Sequence, residues 1–352
     1  MSLSTKSLSR VVVVVAATRK RSLSTREAAS VTYAFDRSFK QLQRDNAARA
    51  TQKWSHDAVS YDYLRDEIAR RLVDRLDDIR RDEGFSLALD LGSGPGYVHR
   101  AICADDSLQG EGGIGGVRKL VQVDSSAEML HRDVDMDFEG SHRCDTYRLH
   151  ADEESKLPFP DGTFDLVISS ASLHWINDLP STFAEVRRVL KPDGCFMFSI
   201  IGGTTLSELR AAMVLAELER DGGVSTHVGP FVELSDVGAL LQRAGFALPT
   251  IDTDTIHVGF PNAGVLMEHL QRMGENNAGI KRRDRTSLDT FLATACLYDE
   301  LFSVEGSDDI EASVQVIYAI GWTPHESQQR PLERGTATHK MADMVEVTKA
   351  IT

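Results

Sequence analysis

Apolar and polar positions alternate along this chain in blocks, and the blocks predict an α/β protein. Leu87, Ala88 and Leu89 form a short apolar run that reads as a buried strand ending at Asp90. A glycine-rich turn follows, and Val98 opens a helix through Ile102. A second strand is predicted over 119–123, ending at Asp124, and a third over 164–170, behind the Asp161-Gly162 turn. The segment 179–190 has helical spacing, Lys191-Pro-Asp-Gly194 reads as a turn, and 195–201 as a strand. Helices are predicted over 205–219, over 234–244 (closed by Gly245), over 265–273 and over 287–302. Residues 250–258 read as a strand, and 313–320 as a late strand forming the antiparallel edge of the sheet. Upstream, residues 32–84 look helical and charged. Tyr61, Leu64, Ile68, Leu72, Leu76 and Ile79 recur every three or four positions, which predicts an amphipathic helix over the mouth of the sheet.

The chemistry concentrates in the turn after the first strand. Gly92, Gly94 and Gly96 let the backbone turn tightly and approach a ligand closely. Strand, glycine turn and helix make the first half of a nucleotide-binding unit. Asp90 places a negative charge at the strand end, which repels a pyrophosphate and suits the ammonium of a methionine-like ligand. The pattern is G-x-G-x-G, with Tyr97 where a dinucleotide site has its third glycine. Both features point to S-adenosylmethionine rather than NAD. Asp124, at the end of the second strand, is placed to accept hydrogen bonds from ribose hydroxyls, and Asp152 or Glu153 to accept the adenine amino group. Each acid alone is more simply a solvated loop charge; their order along the chain carries the reading. The loop 108–116, LQGEGGIGG, reads as a surface insertion.

Composition narrows the partners. The formal net charge of −14 argues against binding nucleic acid through its phosphates. Cys103, Cys144, Cys195 and Cys296 are widely spaced, so neither a zinc knot nor a disulfide framework is indicated; buried or half-buried thiols are the expectation. No metal-ligand set emerges: His150-Ala-Asp152 has the look of half an iron triad, but no second histidine joins it. Residues 1–26 hold six basic residues and no acid, and serine is abundant, as in a mitochondrial transit peptide. The expected organisation is a transit peptide over 1–30, an N-terminal helical segment over 31–84, a main domain over 85–322 and a polar tail over 323–352.

ALDLGSGPGY (88–97), the acid at Asp124 and LPFPDGTFDLVISSASLHWINDLP (157–180) resemble class I S-adenosylmethionine-dependent methyltransferases. The nearer likeness is to the branch holding the biotin-pathway malonyl-carrier-protein O-methyltransferases and the mitochondrial complex I assembly factors linked to arginine hydroxylation. AFDRSFKQLQRDNAAR (34–49), residues 202–231 and residues 316–337 resemble the assembly-factor side. The resemblance implies a Rossmann-like methyltransferase fold: a mostly parallel seven-stranded sheet flanked by helices, with extra helices. It implies that Asp90, Gly92, Gly94, Gly96, Asp124, Asp152 and Glu153 hold S-adenosylmethionine. The loop departs from the assembly factors' G-C-G-R-G, and Pro95 stiffens it. His174 and Trp175 follow the strand where substrate meets the cofactor in this fold. His174 is the candidate general base, with orientation of the substrate lip as the plainer alternative.

By the same resemblance, the expected partner is a complex I subunit of the NDUFS7 type. The expected site of action is the mitochondrial matrix, peripheral to the inner membrane. Three functions stay open on sequence: arginine hydroxylation during complex I assembly, with an unidentified oxidant or metal; O-methylation of a carboxyl or carrier-bound acyl group; and non-catalytic, cofactor-binding chaperoning.

Overall fold

The computed structural model describes residues 33–329 apart from 54–60, 80, 82–83, 105–111, 137, 284, 305 and 308. The expected transit peptide over 1–30 and the tail beyond 329 lie outside these residues. So does the first part of the glycine loop.

The strands are β1 (Leu87–Leu91), β2 (Lys119–Asp124), β3 (Asp145–His150), β4 (Phe164–Ser170), β5 (Leu190–Ile201), β6 (Ala247–Phe260) and β7 (Ile310–Trp322). They form one seven-stranded sheet in the order β3-β2-β1-β4-β5-β7-β6. The first five run parallel, and β7 pairs antiparallel with both β5 and β6. The helices are α1 (Arg37–Lys53), α2 (Tyr63–Asp77), α3 (Tyr97–Cys103), α4 (Ala127–His131), α5 (Leu179–Val189), α6 (Ser207–Arg220), α7 (Leu234–Ala244), α8 (Ala263–Arg272) and α9 (Leu288–Phe302).

The strands bury both faces, so neighbouring residues serve different cores. Leu166, Ile168, Met197, Val316 and Tyr318 face a core built with Ile68, Leu72 and Leu76 of α2 and Val98 and Ile102 of α3. Their neighbours Val167, Phe196, Phe198 and Ile317 face the opposite core, with Phe183, Val186 and Val189 of α5 and Val237 and Leu241 of α7. A third cluster joins α6, α8 and α9 to the β6–β7 ribbon through Leu209, Met213, Leu266, Tyr298 and Ile310.

The structure corrects the pattern reading at several points. β7 is not the sheet edge: Tyr318 sits between Ser199 of β5 and Asp252 of β6, and β6 takes the rim. Two-sided pairing explains why β7 is the more apolar of the two. β3 escaped the pattern because it is a rim strand, DTYRLH, pairing on one side only and nowhere fully buried. Lys191–Gly194 is a bulge within β5, with Asp193 at φ 59°, rather than a turn before it. The described part of the glycine loop is no loose insertion. Gly113 is buried, and a Cβ there would overlap the side chain and carbonyl of Ile102. Thr323, placed in the polar tail, is buried and donates through its hydroxyl to the Gly194 carbonyl. Cys103, Cys144 and Cys195 are buried, but Cys296 is exposed.

The two faces of the sheet predict a contrast in stability. Leu72→Ala, at a fully buried α2 position, is expected to cost about 2–5 kcal/mol. Leu218→Ala, 54% exposed on α6, is expected to stay within roughly 0.5 kcal/mol of the parent. Urea unfolding of both variants, read by circular dichroism, checks the contrast.

Candidate functional site

The carboxyl ends of β1, β2 and β4 converge where parallel strands of an α/β sheet present their ligands. The turn after β1 is set by glycine. Gly92 has φ +74°, and a Cβ there would overlap the Ser172 hydroxyl beyond β4. Gly94 turns its amide to Asp124 Oδ2 at 2.8 Å, so the glycine turn is tied to the end of β2. Asp124 is fully buried. It also accepts from the Ser126 amide at 2.7 Å and takes both terminal nitrogens of Arg44 from α1, at 2.9 and 2.7 Å. Next to it, Glu153 Oε1 accepts from the amide and hydroxyl of Ser125 at 3.2 and 3.3 Å. Arg37 bridges Asp152 at 2.5 Å and Glu153 at 2.9 Å, with Glu154 at 3.3 Å.

Asp90 lies beneath this layer, one residue inside β1. It is fully buried, and neither oxygen reaches a hydrogen-bond partner. The amide of the neighbouring buried Gln122 is equally unpartnered. Burial, reinforced by the charge of Asp124, pushes the Asp90 carboxyl well above the ordinary range. Burial of this kind favours the neutral form of the carboxyl.

Past β4 the chain makes a short 3-10 turn through Leu173–Trp175. The Trp175 indole donates to Glu275 Oε2 at 2.8 Å, and Glu275 also forms an ion pair with Arg65 of α2. The Lys40 ammonium of α1 stands 3.4 Å from the Trp175 ring centroid and donates to the carbonyls of Gly274 and Asn276 at 3.0 and 2.6 Å. His174 is buried; its Nε2 lies 3.4 Å from Glu275, and its Nδ1 has no partner. Burial first, then the nearby cations Arg65, Lys40 and Arg44, press its pKa well below the usual histidine value. His174 is therefore a neutral imidazole that binds a proton weakly.

Of the sequence-predicted residues, Gly94, Asp124, Asp152 and Glu153 gather around one rim. Asp90 and His174 sit behind the surface, and Gly96 lies over Gln122. His150 turns its Nε2 to the Ser125 carbonyl at 2.9 Å, and Asp152 is held by Arg37. Among the described residues no three metal-ligating side chains converge. His227 meets Glu217 at 2.8 Å, and His325 Nδ1 meets the Ser327 hydroxyl of its own loop at 2.7 Å. Sequence reasoning missed Arg37, Lys40, Arg44, Arg65 and Glu275. A signal existed for the first three: at spacings of three and four they fall on one stripe of α1. Beside Trp175 and Glu275 opens a cleft of about 1130 Å³, lined also by Phe231, Met267 and Phe291.

A Rossmann-like sheet with a glycine turn bonded to a carboxylate on the second strand defines a protein of the methyltransferase fold. The methyltransferase-domain family matches residues 89–198. The chain is 43% identical to the mitochondrial arginine-hydroxylase NDUFAF5 of Rattus norvegicus, over 88% of this chain and 83% of that protein. With the Danio rerio protein of the same name the identity is 40%, over 94% of each chain. A malonyl-[acyl-carrier protein] O-methyltransferase of Methylovorus is 30% identical, over 79% of this chain and 89% of that one. The chain belongs to the arginine-hydroxylase NDUFAF5 family, enzymes built on a methyltransferase fold.

Asp90 gives the site a pH signature. Its folded pKa is raised, so as pH climbs past the ordinary carboxylate value the unfolded state loses this proton first. Stability then falls with rising pH until the folded carboxyl ionises. Asp90→Asn removes the titration while keeping the shape. The variant is expected to gain stability over the parent at pH 8 relative to pH 4, measured as the difference in urea midpoints. An equal difference at both pH values would contradict the assignment.

Proposed function

We propose that this chain is a mitochondrial complex I assembly factor that binds S-adenosylmethionine and hydroxylates an arginine of a matrix-side complex I subunit of the NDUFS7 type. The observation that carries the reading is 43% identity with an arginine-hydroxylase across nearly nine-tenths of the chain. The site's chemistry agrees. Asp124, bonded to the glycine turn at the end of β2, has the position of a ribose-binding acid, with Arg44 on its oxygens in this structure. Glu153 and Asp152 beside it suit the adenine amino group. The glycine turn is of the kind that lets a ligand approach the backbone closely. When bound, S-adenosylmethionine brings a sulfonium cation with an electrophilic methyl group.

Hydroxylation converts an arginine C–H to C–OH and consumes an external oxidant. The chain's own residues would bind and orient the substrate. The cleft beside Trp175 and Glu275 has the volume for a peptide side chain and its neighbours. Glu275 already takes one guanidinium, that of Arg65, so its chemistry matches an arginyl substrate. A net charge of −14 favours a basic peptide over an acidic one. Matrix localisation follows from the acid-free, basic N-terminus. No described helix is long and apolar enough to cross a membrane, so the proposed contact with the inner membrane is peripheral.

Mass analysis of the complex I subunit from cells lacking the gene, with and without the restored chain, tests this. Restoration is expected to add about 16 mass units to one arginine, the mass of an oxygen atom. A gain of about 14 on a carboxyl or acyl group would instead indicate an O-methyltransferase, and no gain a non-catalytic chaperone. Asp124→Asn, which weakens the ribose site, is expected to lower the extent of modification.

A further inference from the structure

The cofactor cradle holds a ligand drawn from its own chain. A carboxylate offers about four lone-pair positions. Those of Asp124 go to the amides of Gly94 and Ser126 and to the two terminal nitrogens of Arg44. None remains for a ribose diol. The space agrees with the count. The cavity between Arg37, Lys40, Arg44, Ser125, Glu153 and Trp175 measures about 10 Å³, barely one water, whereas small-molecule sites run to roughly 300 Å³ or more. Arg37, Lys40 and Arg44, all from one stripe of α1, line it.

α1 is held in a way that permits release. Its apolar contacts are modest: Ala47 and Ala48 against Met129 of α4, and Phe39, with Phe35 just before the helix, in a cluster with Trp175 and Ala278. The main ties are polar, running from Arg37 to Asp152, Glu153 and Glu154, from Arg44 to Asp124, and from Lys40 to two carbonyls. Segments with few buried apolar contacts open at low free energy. The helix also has a second face. Phe39, Gln43 and Asn46 line the large cleft beside Trp175. α1 is thus the wall shared by the cofactor cradle and the cleft.

We propose that α1 is a self-ligand of the cradle: Arg44, supported by Arg37, occupies the carboxylates that a nucleoside needs, so S-adenosylmethionine and docked α1 compete. Binding of the cofactor displaces α1 and reshapes the cleft on its other side, so the two sites are thermodynamically linked. In the resting form the guanidinium of Arg44 neutralises Asp124, which would otherwise be a buried, uncompensated charge. The proposal rests on the reading that the cradle takes S-adenosylmethionine, and the test separates the two.

S-adenosylhomocysteine is titrated calorimetrically into the full chain and into Arg44→Ala and Arg44→Lys. Hydrogen exchange of the α1 amides is followed in the parent chain with and without the same ligand. Competition predicts at least tenfold tighter binding by Arg44→Ala, a smaller gain for Arg44→Lys, and faster α1 exchange in the bound parent. Equal or weaker binding by a folded Arg44→Ala, or slower α1 exchange on binding, would overturn the strap while leaving the cofactor reading intact. Should Arg44→Ala not fold, Arg44→Lys and the exchange experiment on the parent still decide. No binding by any form, the parent included, would overturn the cofactor reading and the strap with it.

Discussion

The carboxylate of Asp124 is the constraint on which the site depends. It stands at the end of β2, fully out of solvent, and must be paired there. Three separate pieces of chain meet on it: the Gly94 amide of the turn after β1, the Ser126 amide that opens α4, and Arg44 of α1. That one group fixes the glycine turn against the second strand and orients the start of α4. It also docks a helix that begins some eighty residues upstream. Arg44 on this acid joins the ties of Arg37 and Lys40 in docking α1.

Electrostatics divides the mouth of the sheet into two halves. On one side are the rim acids Asp124, Asp152 and Glu153, matched to Arg44 and Arg37. On the other, Glu275 holds Arg65 and the Trp175 indole, with Lys40 over the ring. Burial presses the Lys40 ammonium well below its ordinary pKa, and neighbouring Arg44 and Arg65 add to the effect. Burial first, and then the same cations, hold the His174 pKa well below the usual histidine value. A cation-rich, low-dielectric wall thus backs the acids, and the acids and the cleft both open toward it.

Much of the fold was legible because strands buried on both faces write continuous apolar runs. FDLVISS, now β4, is buried throughout. Helices announced themselves by period, and 234–244 closes at Gly245 as expected, with Gly245 at φ +79°. What failed was the rim. β3, half polar and paired on one side only among the described residues, was missed, whereas 250–258, read as a strand, is β6 and takes the edge that the pattern assigned to 313–320. Which antiparallel strand lies inside depends on how the chain returns after α9, and no local pattern records that.

The sequence by itself determined six of the sheet's seven strands, the glycine turn and the acids after it, because backbone freedom and two-face burial leave local marks. Only the tertiary structure decided that α1 reaches those acids. Arg37, Lys40 and Arg44 read locally as an ordinary charged helix face. The partners of Arg37 and Arg44, Asp152, Glu153 and Asp124, lie about eighty to over one hundred residues away, and the Gly274 and Asn276 carbonyls that take Lys40 farther still. Burying Asp124 and Glu153 forces each to find a cation. Which cation it finds is fixed by the packing of the whole chain and not by any short stretch of it.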